Sequence, residues 1–115
     1  MTLDIYFKTK NLRDSCLLKK DAIRRWGRPL ALRIMQRIKE LEAASSLAQI
    51  SHLPPLRLHG LVNNRDGQFA ISVNDRIRMI FIPFNDPVPR LPDGNVDKTQ
   101  VSKILILEVT DYHDD

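Results

Sequence analysis

Cysteine occurs once in these 115 residues, at Cys16, so the chain can form no internal disulfide and holds no Cys-x-x-Cys metal or redox site. The expectation that remains is a packed thiol on a helix face. No apolar run approaches the roughly 20 residues that a membrane-spanning helix needs. The first residues also lack the apolar block of a secretory signal. With 28% of its residues charged, the chain does not fit a membrane-embedded class, and a cytoplasmic protein is expected. A glycine-rich phosphate loop, a Ser-His-Asp arrangement and an internal repeat are all missing. Among His52, His59 and His113 no pair has helical i, i+4 spacing, so neither a metal site nor a cofactor is expected.

What is present suffices for one modest core, since 43% of the residues are apolar and a chain of 115 residues fits a single domain. The net charge of +4 is unevenly placed. Residues 8–39 hold eleven Lys or Arg against two Asp, whereas the chain ends on Asp111, Asp114 and Asp115. Such a basic surface attracts polyanions, because neutralising phosphates releases condensed counterions. Nucleic acid is the natural partner, and a solvated helix face that only keeps the chain soluble is the plain alternative.

Residues 3–7 alternate apolar and polar positions and read as a first strand. Asn11 then stands where a helix N-cap belongs, with Asp14 three residues later at the positive end of the helix dipole. Leu12, Cys16, Ala22, Ile23 and Trp26 line one side of a helical segment whose apolar pattern breaks near Lys19 and Lys20. Gly27 followed by Arg28-Pro29 ends that helix and starts another in antiparallel contact with it. In the second helix Leu30, Ile34, Ile38 and Leu41 recur at helical spacing with Met35 beside them, which assigns Arg33, Arg37 and Glu40 to the solvent side. Pro54 and Pro55 make a connector in which His52 is expected to be exposed and structural. Strands are expected at 56–61, 68–73 and 76–82, with turns at 63–67 and at Asn74-Asp75. Residues 83–102 carry four of the seven prolines, Gly94 and three acids. A loop that long is functional or mobile more often than accidental. Residues 103–112 close the sheet. The fold class is α+β: an N-terminal strand and two helices packed on a mainly antiparallel sheet, in one domain over 1–115.

Cleaving RNA without a metal requires a group to take the proton of the ribose 2′-hydroxyl, a group to protonate the leaving 5′-oxygen, and cations to hold the phosphorane charge. Histidine suits the proton transfers because its pKa lies near neutrality, and arginine suits the charge because its fork bonds two phosphate oxygens at once. The chain offers His59, Tyr112, His113, Arg76 and Arg78. Arg76 and Arg78 lie two apart and are expected on one face, with Ile77 and Met79 on the other. The adjacent Tyr112 and His113 share a face only if the strand ends or twists there. The plain alternatives are a solvated sheet face for the arginines and a half-buried anchor for Tyr112.

Four stretches carry a resemblance: Leu56-Arg57-Leu58-His59-Gly60-Leu61, Gly67-Gln68-Phe69-Ala70-Ile71-Ser72-Val73, Arg76-Ile77-Arg78-Met79-Ile80-Phe81, and the terminal Ile104 to Tyr112-His113-Asp114-Asp115. In content and order they resemble the HigB-type toxins of bacterial toxin–antitoxin pairs, within the RelE/ParE superfamily. The resemblance implies a RelE-like fold and a ribosome-dependent messenger-RNA endonuclease that inhibits translation. It also implies a HigA-like helix-turn-helix antitoxin as partner, beside the ribosome and mRNA. Matched residue by residue, it implies a catalytic set of His59, Arg78, Tyr112 and His113. Contacts to RNA are expected at Arg33, Arg37, Arg57, Arg65 and Arg76. The chain departs from the family at one position: the lysine three residues after the first histidine is Val62 here. Loss of a cation beside the scissile phosphate costs on the order of 10²-fold or more, and Arg57 and Arg65 are the nearest replacements. The competing reading is non-enzymatic, either a ParE-like gyrase inhibitor or a degenerate toxin acting as co-repressor with its antitoxin. His59 and the Tyr-His ending favour the nuclease, and Val62 favours the alternative.

Overall fold

Two periodicities sort the chain into two layers, one of helices and one of strands. The computed structural model describes residues 2–111. Strand β1 (Asp4–Phe7) leads into helices α1 (Lys10–Leu17), α2 (Lys19–Trp26) and α3 (Arg28–Ala43), followed by strands β2 (His59–Gly60), β3 (Phe69–Ser72), β4 (Ile77–Pro83) and β5 (Lys103–Asp111). The sheet order is β1-β5-β4-β3-β2. Strand β1 runs parallel to β5, and the other three pairings are antiparallel. This is the expected α+β architecture, with one more helix than the sequence suggested. Leu18 adopts an extended backbone between α1 and α2, so the break in the apolar pattern near Lys19 and Lys20 is a true interruption.

The start of α1 also differs from expectation. Thr9, not Asn11, is the N-cap, and its Oγ1 accepts from the Leu12 N–H at 3.1 Å. Asn11 lies within the first turn, and Asp14, expected near the positive end of the helix, falls beyond that turn and pairs with the adjacent Arg13. Gly27 takes φ +81°, a conformation costly for any residue with a Cβ, and so links α2 to α3, where Pro29 occupies the first turn.

Leu12 and Cys16 of α1 and Ile34, Ile38 and Leu41 of α3 bury against Phe69, Ile71, Met79, Phe81, Ile104, Ile106 and Val109 of the sheet. Each large side chain taken from water stabilises the fold by about 1.5–3 kcal/mol before entropy costs. Cys16 is fully buried, as expected for a packed thiol, and desolvation pushes its pKa up from 9.0 to about 11 against the smaller lowering effects of Ser15 and Arg25.

Arg37 corrects the reading of α3. It lies three residues after Ile34, on the buried stripe, and is only 5% exposed. Its Nε donates to the Ser72 carbonyl at 2.8 Å, its Nη2 to the Val73 carbonyl at 3.5 Å, and its Nη1 to Glu40 Oε1 at 2.7 Å. A guanidinium engaged by two carbonyls at the end of β3 is a structural clamp and does not reach solvent to meet RNA.

The strand expected over 56–61 shortens to His59–Gly60 because Arg57 sits at φ +52°, which interrupts extended backbone. The turn after it contains a short 3-10 segment, Asn63–Arg65. Residues 83–102 are tied down at both ends. Asn85 Oδ1 accepts from the Ser102 and Lys103 N–H groups, each at 3.1 Å, and Arg90 bridges to Val96 further along. No described helix is long and apolar enough to cross a membrane.

Candidate functional site

The sheet face opposite the helices follows from alternation. Ile77, Met79 and Phe81 of β4 pack toward the helices, so Arg78 and Ile80 point the other way. Register then sets two rows across that open face. One runs His59, Ala70, Ile80, Glu108, and the other Ser72, Arg78, Thr110. Leu61, Ala70, Ile80 and Leu107 form a small apolar floor beneath them.

Glu108 reaches this face through a β-bulge. Strict alternation from Ile104 and Ile106 would send residue 108 into the core, but the register shifts between Ile80 and Phe81, so that Ile80 pairs with Glu108 and Phe81 with Ile106. The inserted residue is Leu107, and it turns Glu108 outward while Val109 returns to the core. Arg65 then extends from the β2–β3 loop, and its Nη1 donates to Glu108 Oε2 at 3.1 Å and to Gln68 Oε1 at 3.0 Å. Sequence reasoning missed Glu108 because nothing in the residue pattern marks the bulge.

His59 is half-buried, and its Nδ1 lies 2.8 Å from the Arg57 carbonyl. A carbonyl can only accept, so Nδ1 carries the hydrogen, and in the neutral ring Nε2 is the basic nitrogen. The left-handed backbone of Arg57 aims that carbonyl, at a strain of roughly 1–2 kcal/mol. Arg78 is held at the start of its strand, where its Nη1 donates to the Asn74 carbonyl at 2.8 Å and the Ile77 carbonyl at 3.3 Å.

The remaining expected residues are placed elsewhere. Arg76 does not share the face of Arg78, because it belongs to the turn before β4, where Asn74 Oδ1 accepts from the Arg76 and Ile77 N–H groups. Its Nη2 meets Asp111 Oδ2 at 2.8 Å, and Asp111 stands opposite Ile77, on the helix side by alternation. Arg33 is exposed on α3, in the layer behind the sheet, and Arg57 is exposed beside His59. Val62 is 61% exposed between His59 and Arg65, so the position would accept a charged side chain. His52 is exposed in its connector, as expected. Tyr112 and His113 lie outside the described residues. The structure therefore brings His59, Arg65, Arg78 and Glu108 to one face, with Arg57 at its margin.

A cleft of about 870 Å³ adjoins this face without being part of its arginine rows. It opens between the β2–β3 loop and the 83–102 loop, with Gly60, Phe69, Arg90, Asp97 and Lys98 among its walls. Among the described residues no group of three His, Cys, Asp or Glu is placed to hold a metal ion.

A scan against models of known protein families finds no match, and a search of curated proteins finds none either. Comparison with solved structures does find relatives in fold. A YoeB/ParE toxin from Agrobacterium tumefaciens aligns at TM-score 0.57 and 6% identity, over 96% of this chain and 100% of that one. The YoeB–YefM complex from Staphylococcus aureus aligns at TM-score 0.52 and 14% identity, over 98% of this chain and 99% of the other. The YoeB dimer from Staphylococcus aureus aligns at TM-score 0.52 and 16% identity, with the same coverage of both chains. At these identities the likeness is one of fold, and the fold of this chain is that of the RelE/YoeB-like toxins.

Proposed function

We propose that this chain is the toxin of a type II toxin–antitoxin system, a cytoplasmic, ribosome-dependent endoribonuclease of the HigB type. The observation that carries the reading is the open face of a YoeB/ParE-like fold on which His59 and Arg78 stand with the Arg65–Glu108 pair. In the reaction the ribose 2′-oxygen attacks the adjacent phosphorus as its proton passes to a base. The bond to the 5′-oxygen then breaks as that oxygen gains a proton, leaving a 2′,3′-cyclic phosphate and a 5′-hydroxyl. His59 serves one proton transfer through Nε2, a buried atom that RNA binding has to uncover, and Arg78 stabilises the phosphorane charge with help from Arg65. Tyr112 and His113 enter on the sequence resemblance alone, with His113 as the second proton carrier.

An antitoxin partner is supported by the Staphylococcus aureus YoeB of like fold, which was solved in complex with YefM. The HigA-like helix-turn-helix identity of the partner rests on the sequence resemblance. Ribosome and mRNA complete the set.

Controlled expression in bacteria tests the reading. Growth arrest with truncated messages is the expected result. Arrest with intact messages and altered DNA supercoiling would overturn the nuclease in favour of gyrase binding, and unimpaired growth would favour a degenerate toxin that only co-represses.

A further inference from the structure

Strand β1 is an edge of the sheet, since no described strand lies beyond it. Its parallel ladder with β5 uses alternate residues: Asp4 N–H donates to the Ser102 carbonyl at 2.9 Å, and Lys8 N–H to the Ile106 carbonyl at 2.9 Å. The N–H and C=O groups of Ile5 and Phe7 therefore point outward. Leu3 ends this edge on one side, because its N–H is given to the Ala44 carbonyl, and Thr9 ends it on the other by capping α1. What remains open is the run Asp4-Ile5-Tyr6-Phe7-Lys8.

That run is complementary to itself. In an antiparallel pairing with a second copy, centred on Tyr6, Ile5 of each chain stands opposite Phe7 of the other. These are the residues whose backbone groups face outward, so the phase is correct for two hydrogen-bonded pairs. Asp4 of each chain then stands opposite Lys8 of the other, and cross-strand opposite charges favour that register. Tyr6 meets its own copy at the two-fold axis. Tyr6 and Phe84 are already paired on the open face at 5.4 Å between ring centroids, yet they remain 41% and 42% exposed. The pairing would cover both with the same rings of the second copy. An edge strand that carries apolar residues and neither proline nor bulge otherwise invites unspecific association.

We infer that β1 is a homodimer interface at which two copies of this chain pair antiparallel about Tyr6, joining their sheets into one. The inference does not depend on the nuclease reading. Light scattering across a concentration series should show the mass rising from 13.3 kDa toward twice that value. Asp4→Lys alone sets Lys against Lys8 of the other copy, and Lys8→Asp alone sets Asp against Asp4, so each protein should remain monomeric at concentrations where the wild type is dimeric. Mixed together, the two variants place opposite charges at both pairs, and a heterodimer should form. A heterodimer appearing only on mixing also shows that neither substitution unfolded its chain. Tyr6→Cys gives an independent reading, because facing residues at the axis are close enough for a disulfide and the buried Cys16 does not compete. Rapid oxidation to a linked dimer is expected for Tyr6→Cys, with slow oxidation for Leu53→Cys at an exposed position away from the strand. A wild type that stays monomeric throughout the series, or variants that dimerise as well alone as when mixed, would overturn the proposal.

Discussion

At the residue scale, Val62 and Cys16 mark two kinds of departure from what surface or chemistry would suggest. Val62 leaves 61% of its surface in water, so replacing it with lysine costs the core nothing and puts a cation three residues after His59, where the sequence resemblance implies one. Val62→Lys should therefore raise cleavage by roughly 10-fold or more with an unchanged melting temperature. Single-turnover cleavage of ribosome-bound message measures it, and unchanged cleavage by a stable variant would mean that Arg65 and Arg78 already supply the charge. Cys16 is held protonated by burial, with its pKa moved from 9.0 to about 11. Because the folded pKa is the higher one, its contribution to stability is complete below pH 9 and fades as pH rises toward 11. Urea denaturation at stepped pH should show this as a slope of up to about 1.4 kcal/mol per pH unit that Cys16→Ala abolishes. An identical alkaline slope in the variant would assign the loss to other groups.

At the scale of elements, α1 offers a direct test of its start. Thr9→Ala should cost about 1 kcal/mol because it strips the cap from the Leu12 N–H, whereas Asn11→Ala should change stability by less than about 0.5 kcal/mol. Equal losses on chemical denaturation would restore Asn11 as the cap. The element order, the face of α3 and the strands around Ile71 and Met79 were legible in the sequence because each rests on a period of apolar residues. Where the sequence misled, tertiary contacts had overridden a local signal. Arg37 reads as polar and exposed, but two carbonyls at the end of β3 offer acceptors that make its burial tolerable. Arg76 loses its strand position to the Asn74 turn, and Glu108 gains the open face through the Leu107 bulge. Of the site, His59 and Arg78 were legible from residue type and alternation, while the Arg65–Glu108 pair joins residues 43 positions apart and could only be seen in the fold.

At the scale of the whole molecule, the exposed helix arginines and the candidate site residues lie on different layers. Arg24, Arg25, Arg28 and Arg33 are exposed on α2 and α3, behind the sheet, whereas His59, Arg65, Arg78 and Glu108 occupy its open face. Under the proposed function, the helical layer is the side offered to ribosomal RNA and the open face the side offered to the message. Replacing Arg28 and Arg33 together with Gln should weaken ribosome co-sedimentation and flatten its salt dependence, with little change in the chemical step once bound. Binding curves identical to wild type at every salt concentration would leave those arginines as solvent-facing charges.

Under the proposed function, this fold carries a nuclease face built on His59 and Arg78. Primer extension on messages translated with the purified protein tests it most directly. Wild type should truncate the message at the codon in the ribosomal A site. His59→Ala, Arg78→Ala and His113→Ala should each lower the rate by on the order of 10² or more while circular dichroism stays unchanged. Truncation by a His59→Ala/Arg78→Ala double variant at the wild-type rate, or intact messages with the wild type itself, would leave this face without a nuclease role.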